Sequence, residues 1–266
     1  MVRFILWLIG SLLTRGIFCF LCAVLFLITG SARIHKIMWH LYQSWVGQLS
    51  SHVRTLIPNI EVAQEGDLDV QGAYIIIANH YSWLDILILY TVLYGRAPGF
   101  VFVMKRSLLK LPMIGIICWG LGHPLMRKDR KRKGGRLLNH WALEGAVKKA
   151  VEYGYGIAIF PEGTRYNIYD QLPKTSYRNL LNPKASGLNI LVENMPMPVT
   201  VVDVSLAYKE SQHKIVDFLL GRVSAVHVRI SQHYLAHTEV KNWLRDRWLK
   251  KDAHLHQDKQ SLLAGD

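Results

Sequence analysis

Residues Tyr74 to Ala78 read Tyr-Ile-Ile-Ile-Ala, a short apolar run with breakers on either side. Such a run predicts a buried strand. Ile157 to Phe160 repeats the pattern, closed by Pro161. Four more stretches qualify as strands: Glu61–Ala63, Phe100–Met104, Val199–Leu206 and Val226–Ile230. Helical patterns over Trp83–Tyr94, Asn139–Tyr153 and Ser186–Glu193 fall between several of them. A further helix is expected from Ile34 to Leu56. A last one is expected from Glu239 to Lys251, capped by Thr238. Strands alternating with helices predict an α/β fold with a mostly parallel central sheet flanked by helices.

In open α/β sheets, ligands bind past the carboxyl ends of the strands. Two polar motifs stand there. Asn79-His80-Tyr81-Ser82-Trp83-Leu84-Asp85 follows the first strand. Histidine is the usual general base near neutral pH. A carboxylate five residues on can reach back across a tight turn to orient the ring. A second possibility is that Ser82 merely caps the following helix and His80 decorates a loop. The second motif is Phe160-Pro161-Glu162-Gly163-Thr164-Arg165. Pro161 ends the strand and Gly163 permits an unusual turn. Glu162, Thr164 and Arg165 therefore sit just past a strand end, as His80 does.

Together the two motifs resemble the lysophospholipid acyltransferase family, of the 1-acyl-glycerol-3-phosphate acyltransferase type. Asn79, His80 and Asp85 match its N-H-x4-D block, and Phe160 to Arg165 match its F-P-E-G-T-R block in full. Lys105, Pro112, Gly115 and Arg127 look like its second block, although Met126 stands where many members are acidic. Asn182 to Gly187 resembles its basic-then-glycine segment. Met197 to Val204 loosely matches its proline-flanked valine run, closer to a bacterial subgroup of less certain acceptor. The resemblance covers residues 60–235.

The resemblance implies a glycerolipid acyltransferase-like fold and a role in phospholipid biosynthesis. It implies acyl transfer from acyl-CoA or acyl-carrier protein to a lysophospholipid hydroxyl, with no cofactor or metal. His80 would take the hydroxyl proton and Asp85 would hold the imidazole. Arg165, with its planar fork of donors, would hold the acceptor phosphate, joined by Lys105 and Arg127. Glu162, Gly163 and Thr164 would complete the acceptor site. Glu162 would bind acceptor hydroxyls or lock Arg165, and Gly163 would serve through its backbone.

Residues 4–29 form a long apolar stretch broken by Arg15. A spanning helix needs about 20 apolar residues, and an interior arginine costs about 2.5–3.5 kcal/mol. The stretch therefore predicts a membrane anchor, either one span or helical segments that enter one leaflet. Leu111 to Gly122 is too short to span, and fits a buried segment or an interfacial surface. The formal net charge is +13, much of it in Arg127 to Lys133. Beside an anchor, such a run attracts anionic lipid at roughly 1 kcal/mol per residue. Nucleic acid ranks lower, because no aromatic-interleaved or helix-turn-helix pattern accompanies the charge. The three cysteines do not make a disulfide framework. No G-x-G-x-x-G, Walker loop or H-E-x-x-H is present. The chain divides into an anchor and interfacial helix (1–56), a catalytic domain (57–255) and a polar, frayed tail (256–266). A thioester donor implies a site facing the cytoplasm from the cell inner membrane.

Overall fold

The computed structural model describes residues 2–110, 112–127, 134–166, 175–209, 215–236 and 240–264. In chain order the elements are α1 (Val2–Thr29), α2 (Ala32–Leu56), β1 (Asn59–Glu65), β2 (Tyr74–Ala78), α3 (Leu84–Leu93), β3 (Phe100–Phe102) and β4 (Met104–Lys105). A 3₁₀ turn over Arg106–Lys110 follows. Then come α4 (Pro112–Gly120), β5 (Leu125–Met126), α5 (Gly135–Tyr153), β6 (Gly156–Ile159), α6 (Ala185–Asn194), β7 (Val199–Tyr208), α7 (Ile215–Leu219), β8 (Ala225–Leu235) and α8 (Val240–Ala264).

All five residues of β2 are buried. The two faces of the strand explain why. Tyr74, Ile76 and Ala78 enter one apolar cluster with α2 and α3. Ile75 and Ile77 enter a second cluster with α5, α6 and α8. A strand whose side chains alternate between two covered faces must be apolar throughout. The six expected strands form one sheet in the order β1-β8-β7-β2-β6-β3. Only the β7–β8 pairing is antiparallel; β1–β8, β2–β7, β2–β6 and β3–β6 are parallel. β2 is central, and β6 and β7 flank it, so the strand ends that carry both motifs are neighbours. The expected strand Phe100–Met104 divides. Met104 leaves the sheet to pair with Leu125 in a separate two-stranded ribbon, β4–β5.

The N-terminal region differs from a free anchor. α1 and α2 form an antiparallel hairpin, held by Trp7 stacked on His52, Trp45 Nε1–H donating to Ser11 Oγ (3.3 Å), and Phe26 against His35. Met38, Tyr42, Val46, Leu49 and Val53 recur at spacings of three and four on α2, and all are buried. That face is helical core packing, so α2 covers the sheet. Tyr42 donates to the Phe100 carbonyl (3.1 Å) and meets the Tyr90 hydroxyl. Among the described residues, no helix is long and apolar enough to cross a membrane. α1 packs on α2 and α4, with Cys19, Cys22 and Ala23 buried and Ile17, Phe18, Leu21, Leu25 and Ile28 exposed.

The C-terminal residues also depart from expectation. The tail expected to fray continues α8 through Ala264. Trp248, Lys251, Leu255 and Asp258 repeat at spacings of three and four and are buried. Asp258 takes three hydrogen bonds from Arg229 of β8 and pairs with His227 (3.0 Å). The residues are polar in composition, but they keep a helix face that the sheet can receive. The expected cap Thr238 and the basic residues 128–133 lie outside the described residues.

Candidate functional site

The His80 loop is built by side chains that extend the sheet beyond its strands. β2 ends at Ala78, yet Asn79 continues the ladder. Its Nδ2 donates to the Leu206 carbonyl (3.0 Å) and its Oδ1 accepts the Leu206 N–H (2.9 Å). The next residue, His80, is thereby held at the strand end. α3 starts at once: Trp83 holds the cap position, and Ser82 Oγ, one residue ahead of it, accepts the Leu84 N–H (3.0 Å), so the serine's bond stands beside the His–Asp pair and does not compete with it.

Asp85 lies in the first turn of α3, fully buried. Its Oδ2 accepts the N–H groups of Tyr81 (2.6 Å) and Ser82 (2.8 Å) and stands 2.8 Å from His80 Nδ1. Its Oδ1 accepts the Tyr208 hydroxyl (2.7 Å). Four partners compensate a carboxylate whose burial would otherwise be costly. With Asp85 on Nδ1, Nε2 is the ring nitrogen that the carboxylate leaves uncommitted. The imidazole lies flat on Phe160, centroids 4.0 Å apart at 13°. Its side chain keeps 18% exposure.

The second motif is tied to the first through backbone. The Tyr166 N–H donates to the His80 carbonyl (2.7 Å). Gly163 adopts φ +70°, where a side chain would be strained, and its N–H returns to the Phe160 carbonyl (3.0 Å). The turn presents Gly163, Thr164 and Arg165 outward and Glu162 inward. Glu162 is 1% exposed, and neither carboxyl oxygen has a partner at full hydrogen-bond geometry. Burial pushes its carboxyl up to about 8, against the pull of Lys251. Lys184 Nζ donates to the Glu162 carbonyl (3.1 Å). Arg165 is exposed and lies over the Trp83 ring, 5.9 Å from its centroid.

Lys105 and Arg127 are brought together on the β4–β5 ribbon, where Lys105 stands opposite Met126. Both are exposed. Asn139 fixes the Arg127 backbone from both sides. Among the described residues, no hydrogen bond or ion pair joins either cation to His80, Asp85 or Arg165. In the same block, a Cβ at Gly115 would come 2.6 Å from the Leu109 Cα, so α4 can lie against the preceding 3₁₀ turn only with glycine there.

Several site residues and contacts escaped the sequence reading. Tyr208 contacts the His–Asp pair directly, and Phe160, named only as part of the second motif, stacks on the His80 ring. Beneath them, Lys251 of α8 is fully buried, donates to the Val204 carbonyl (2.6 Å) and pairs with Asp203, which Arg247 also reaches (2.9 Å). Burial alone would raise the Asp203 carboxyl, but Lys251 and Arg247 hold it below the ordinary range. An aspartate inside the apolar run Val201-Val202-Asp203-Val204 is a legible sign of a buried partner. Nothing local marks Tyr208. Among the described residues, no cluster of three His, Cys, Asp or Glu could hold a metal ion.

A family model described as Acyltransferase matches residues 59–209, more than half of the chain. The chain is similar to 1-acyl-sn-glycerol-3-phosphate acyltransferase alpha of Homo sapiens, 33% identical over 129 residues, which is 46% of this chain and 43% of the human protein. It is similar to 1-acyl-sn-glycerol-3-phosphate acyltransferase of Saccharomyces cerevisiae, 30% identical over 62% of this chain and 50% of the yeast protein. Lyso-ornithine lipid O-acyltransferase of Rhizobium meliloti is 28% identical over 45% of this chain and 37% of its own length. The matches thus span half or less of these relatives. The crystal structure of the 1-acyl-sn-glycerophosphate acyltransferase PlsC from Thermotoga maritima has the same fold. It aligns with TM-score 0.52 and 17% identity, over 93% of this chain and 97% of that one.

Proposed function

The chain belongs to the lysophospholipid acyltransferase family, and from that premise we propose that it moves a fatty acyl group from acyl-CoA or acyl-carrier protein to the free hydroxyl of a lysophospholipid of the 1-acyl-glycerol-3-phosphate type. The observation that carries this reading is the His80–Asp85 pair, oriented at a strand end and bonded to the second motif. His80 Nε2 takes the acceptor's hydroxyl proton as that oxygen attacks the thioester carbonyl carbon. Asp85 stabilises the imidazolium. The tetrahedral intermediate collapses, the C–S bond breaks, and the imidazolium returns its proton to the departing thiolate. No nucleophilic serine or cysteine is required, so no acyl-enzyme forms. A positioned base contributes on the order of 10²–10⁴ in rate. Orientation and oxyanion stabilisation supply the rest.

Arg165 is the acceptor-phosphate ligand in this reading, with Lys105 and Arg127 as outer cations. Glu162, Gly163 and Thr164 shape the turn between them and His80. The lyso-ornithine lipid enzyme among the relatives favours testing a second acceptor class beside the glycerophosphate one. The exposed apolar face of α1, with the exposed Arg33 and Lys36 at the start of α2, supports an interfacial anchor that lies in one leaflet. A thioester donor places the site on the cytoplasmic side of the inner membrane. A non-catalytic adaptor on this scaffold would have no need for a satisfied His–Asp pair.

The test is transfer of labelled acyl chains to a panel of lysophospholipids by the purified protein. His80→Ala should lose at least about 100-fold in rate while unfolding as wild type does. Equal rates would remove His80 as the base.

A further inference from the structure

We propose that Tyr208 is a positioning residue for the proton-transfer pair, its hydroxyl fixing the Asp85 oxygen that His80 does not use. The inference rests on the reading of His80 as the base.

Tyr208 is the last residue of β7, 123 positions from Asp85, and is buried. Its hydroxyl donates to Asp85 Oδ1 at 2.7 Å. Burial, and then the Asp85 charge beside it, hold the phenol protonated well above its ordinary range, so toward Asp85 it acts as a donor. The other three partners of the carboxylate, Tyr81 N–H, Ser82 N–H and His80 Nδ1, all converge on Oδ2. Contacts at one oxygen leave the carboxylate plane free to swing about that point. The Tyr208 hydroxyl supplies the second point, which fixes the plane and with it the direction in which the imidazole is held. Phe160 sets the tilt of the ring from its face.

The placement has a structural cause. Leu206 and Tyr208 alternate on β7 and share a face. Leu206 receives Asn79 through its backbone, and Tyr208 reaches Asp85 two residues on. One strand therefore aligns both ends of the Asn79–Asp85 loop. The titratable groups that face Asp85 are His80, Tyr81, Tyr208 and Glu162, and Lys251 acts on Glu162. Of these, His80 and Tyr208 are the ones whose side chains bond its carboxylate.

The experiment compares full-length Tyr208→Phe, Asp85→Asn, the double variant and His80→Ala, with acyl-CoA and 1-acyl-glycerol-3-phosphate in mixed micelles. Tyr208→Phe keeps the ring but removes a hydrogen bond to a buried carboxylate, so it should fold and melt several degrees below wild type. Its kcat should fall about tenfold with little change in KM, as for a group that acts on the transition state. The acid limb of its kcat/KM profile should move up by about half a pH unit, because a carboxylate that loses a donor favours the imidazolium more strongly. In the Asp85→Asn background the same substitution should cost nothing further. A Tyr208→Phe enzyme with wild-type kcat and an unmoved acid limb would overturn the proposal. So would an equal loss in both backgrounds, which would mark a purely structural role. If His80→Ala stays active, the base reading itself fails; if it is dead while Tyr208→Phe is unaffected, only the assignment of Tyr208 fails.

Discussion

The floor and the rim of the candidate site are built on opposite principles. On the floor, Asp85 has four partners and the His80 ring is gripped by both Asp85 and Phe160. On the rim, Arg165 rests over the exposed face of Trp83, and Lys105 and Arg127 stand exposed on a small ribbon. Over-determined side chains hold a geometry, and a base must have geometry before it has the right proton affinity. Exposed cations on mobile stems meet a charged headgroup but fix it weakly until it binds. Under the proposed function, the difference places turnover with the floor and acceptor affinity with the rim.

The floor should break more severely. Asp85→Asn replaces an acceptor by an amide that can turn an N–H toward Nδ1. The imidazole then loses its preferred tautomer, and kcat should fall by about 10²–10⁴. Single-turnover transfer of labelled acyl chains measures it, and a loss under threefold would show that Asp85 does not orient the base. The rim should yield less. Arg165→Ala should raise the apparent KM for a phosphorylated acceptor by about tenfold, the scale of one charge-assisted contact, with kcat nearly kept. A fall in kcat at unchanged KM would move Arg165 from the rim to the floor.

The same division explains what the sequence could and could not disclose. The strands and both motifs were legible because each is local: an apolar run, a breaker, then polar residues within six positions. All six expected strands lie in the one sheet. Tyr208 and Lys251 were not legible, since each reaches the site from a distant strand or helix and no short pattern marks it. The N-terminal apolar stretch was plain, but composition does not reveal what a face packs against. α2 turned out to cover the sheet with Met38, Tyr42, Val46, Leu49 and Val53. The C-terminal residues misled in the other direction. Their polar content hid the spacing of Leu255 and Asp258, which continues the buried face of α8.

Glu162 belongs to both regions, since its backbone forms the rim turn and its carboxyl points into the floor, and it gives the finest test of the boundary. Its ordinary carboxyl value is 4.5 and burial raises it to about 8 in the folded chain. Between those values the folded state holds a proton that the unfolded state has released. Folding is then favoured by low pH, and stability should fall as pH rises from about 4.5 toward 8. One pKa unit corresponds to about 1.4 kcal/mol, and in a chain of this size each 1 kcal/mol moves Tm by about 2–4 °C. Glu162→Gln keeps the shape and has no proton to lose. Melting curves at pH 5 and pH 8 should therefore show wild type losing several degrees more than the variant. The rest of the chain is the same in both proteins, so the difference between the two slopes reports Glu162 and the groups it touches. Parallel slopes would mean that the carboxyl is solvated with the rim cations. A flatter slope in Glu162→Gln would mean that the buried carboxyl is held protonated beside the base.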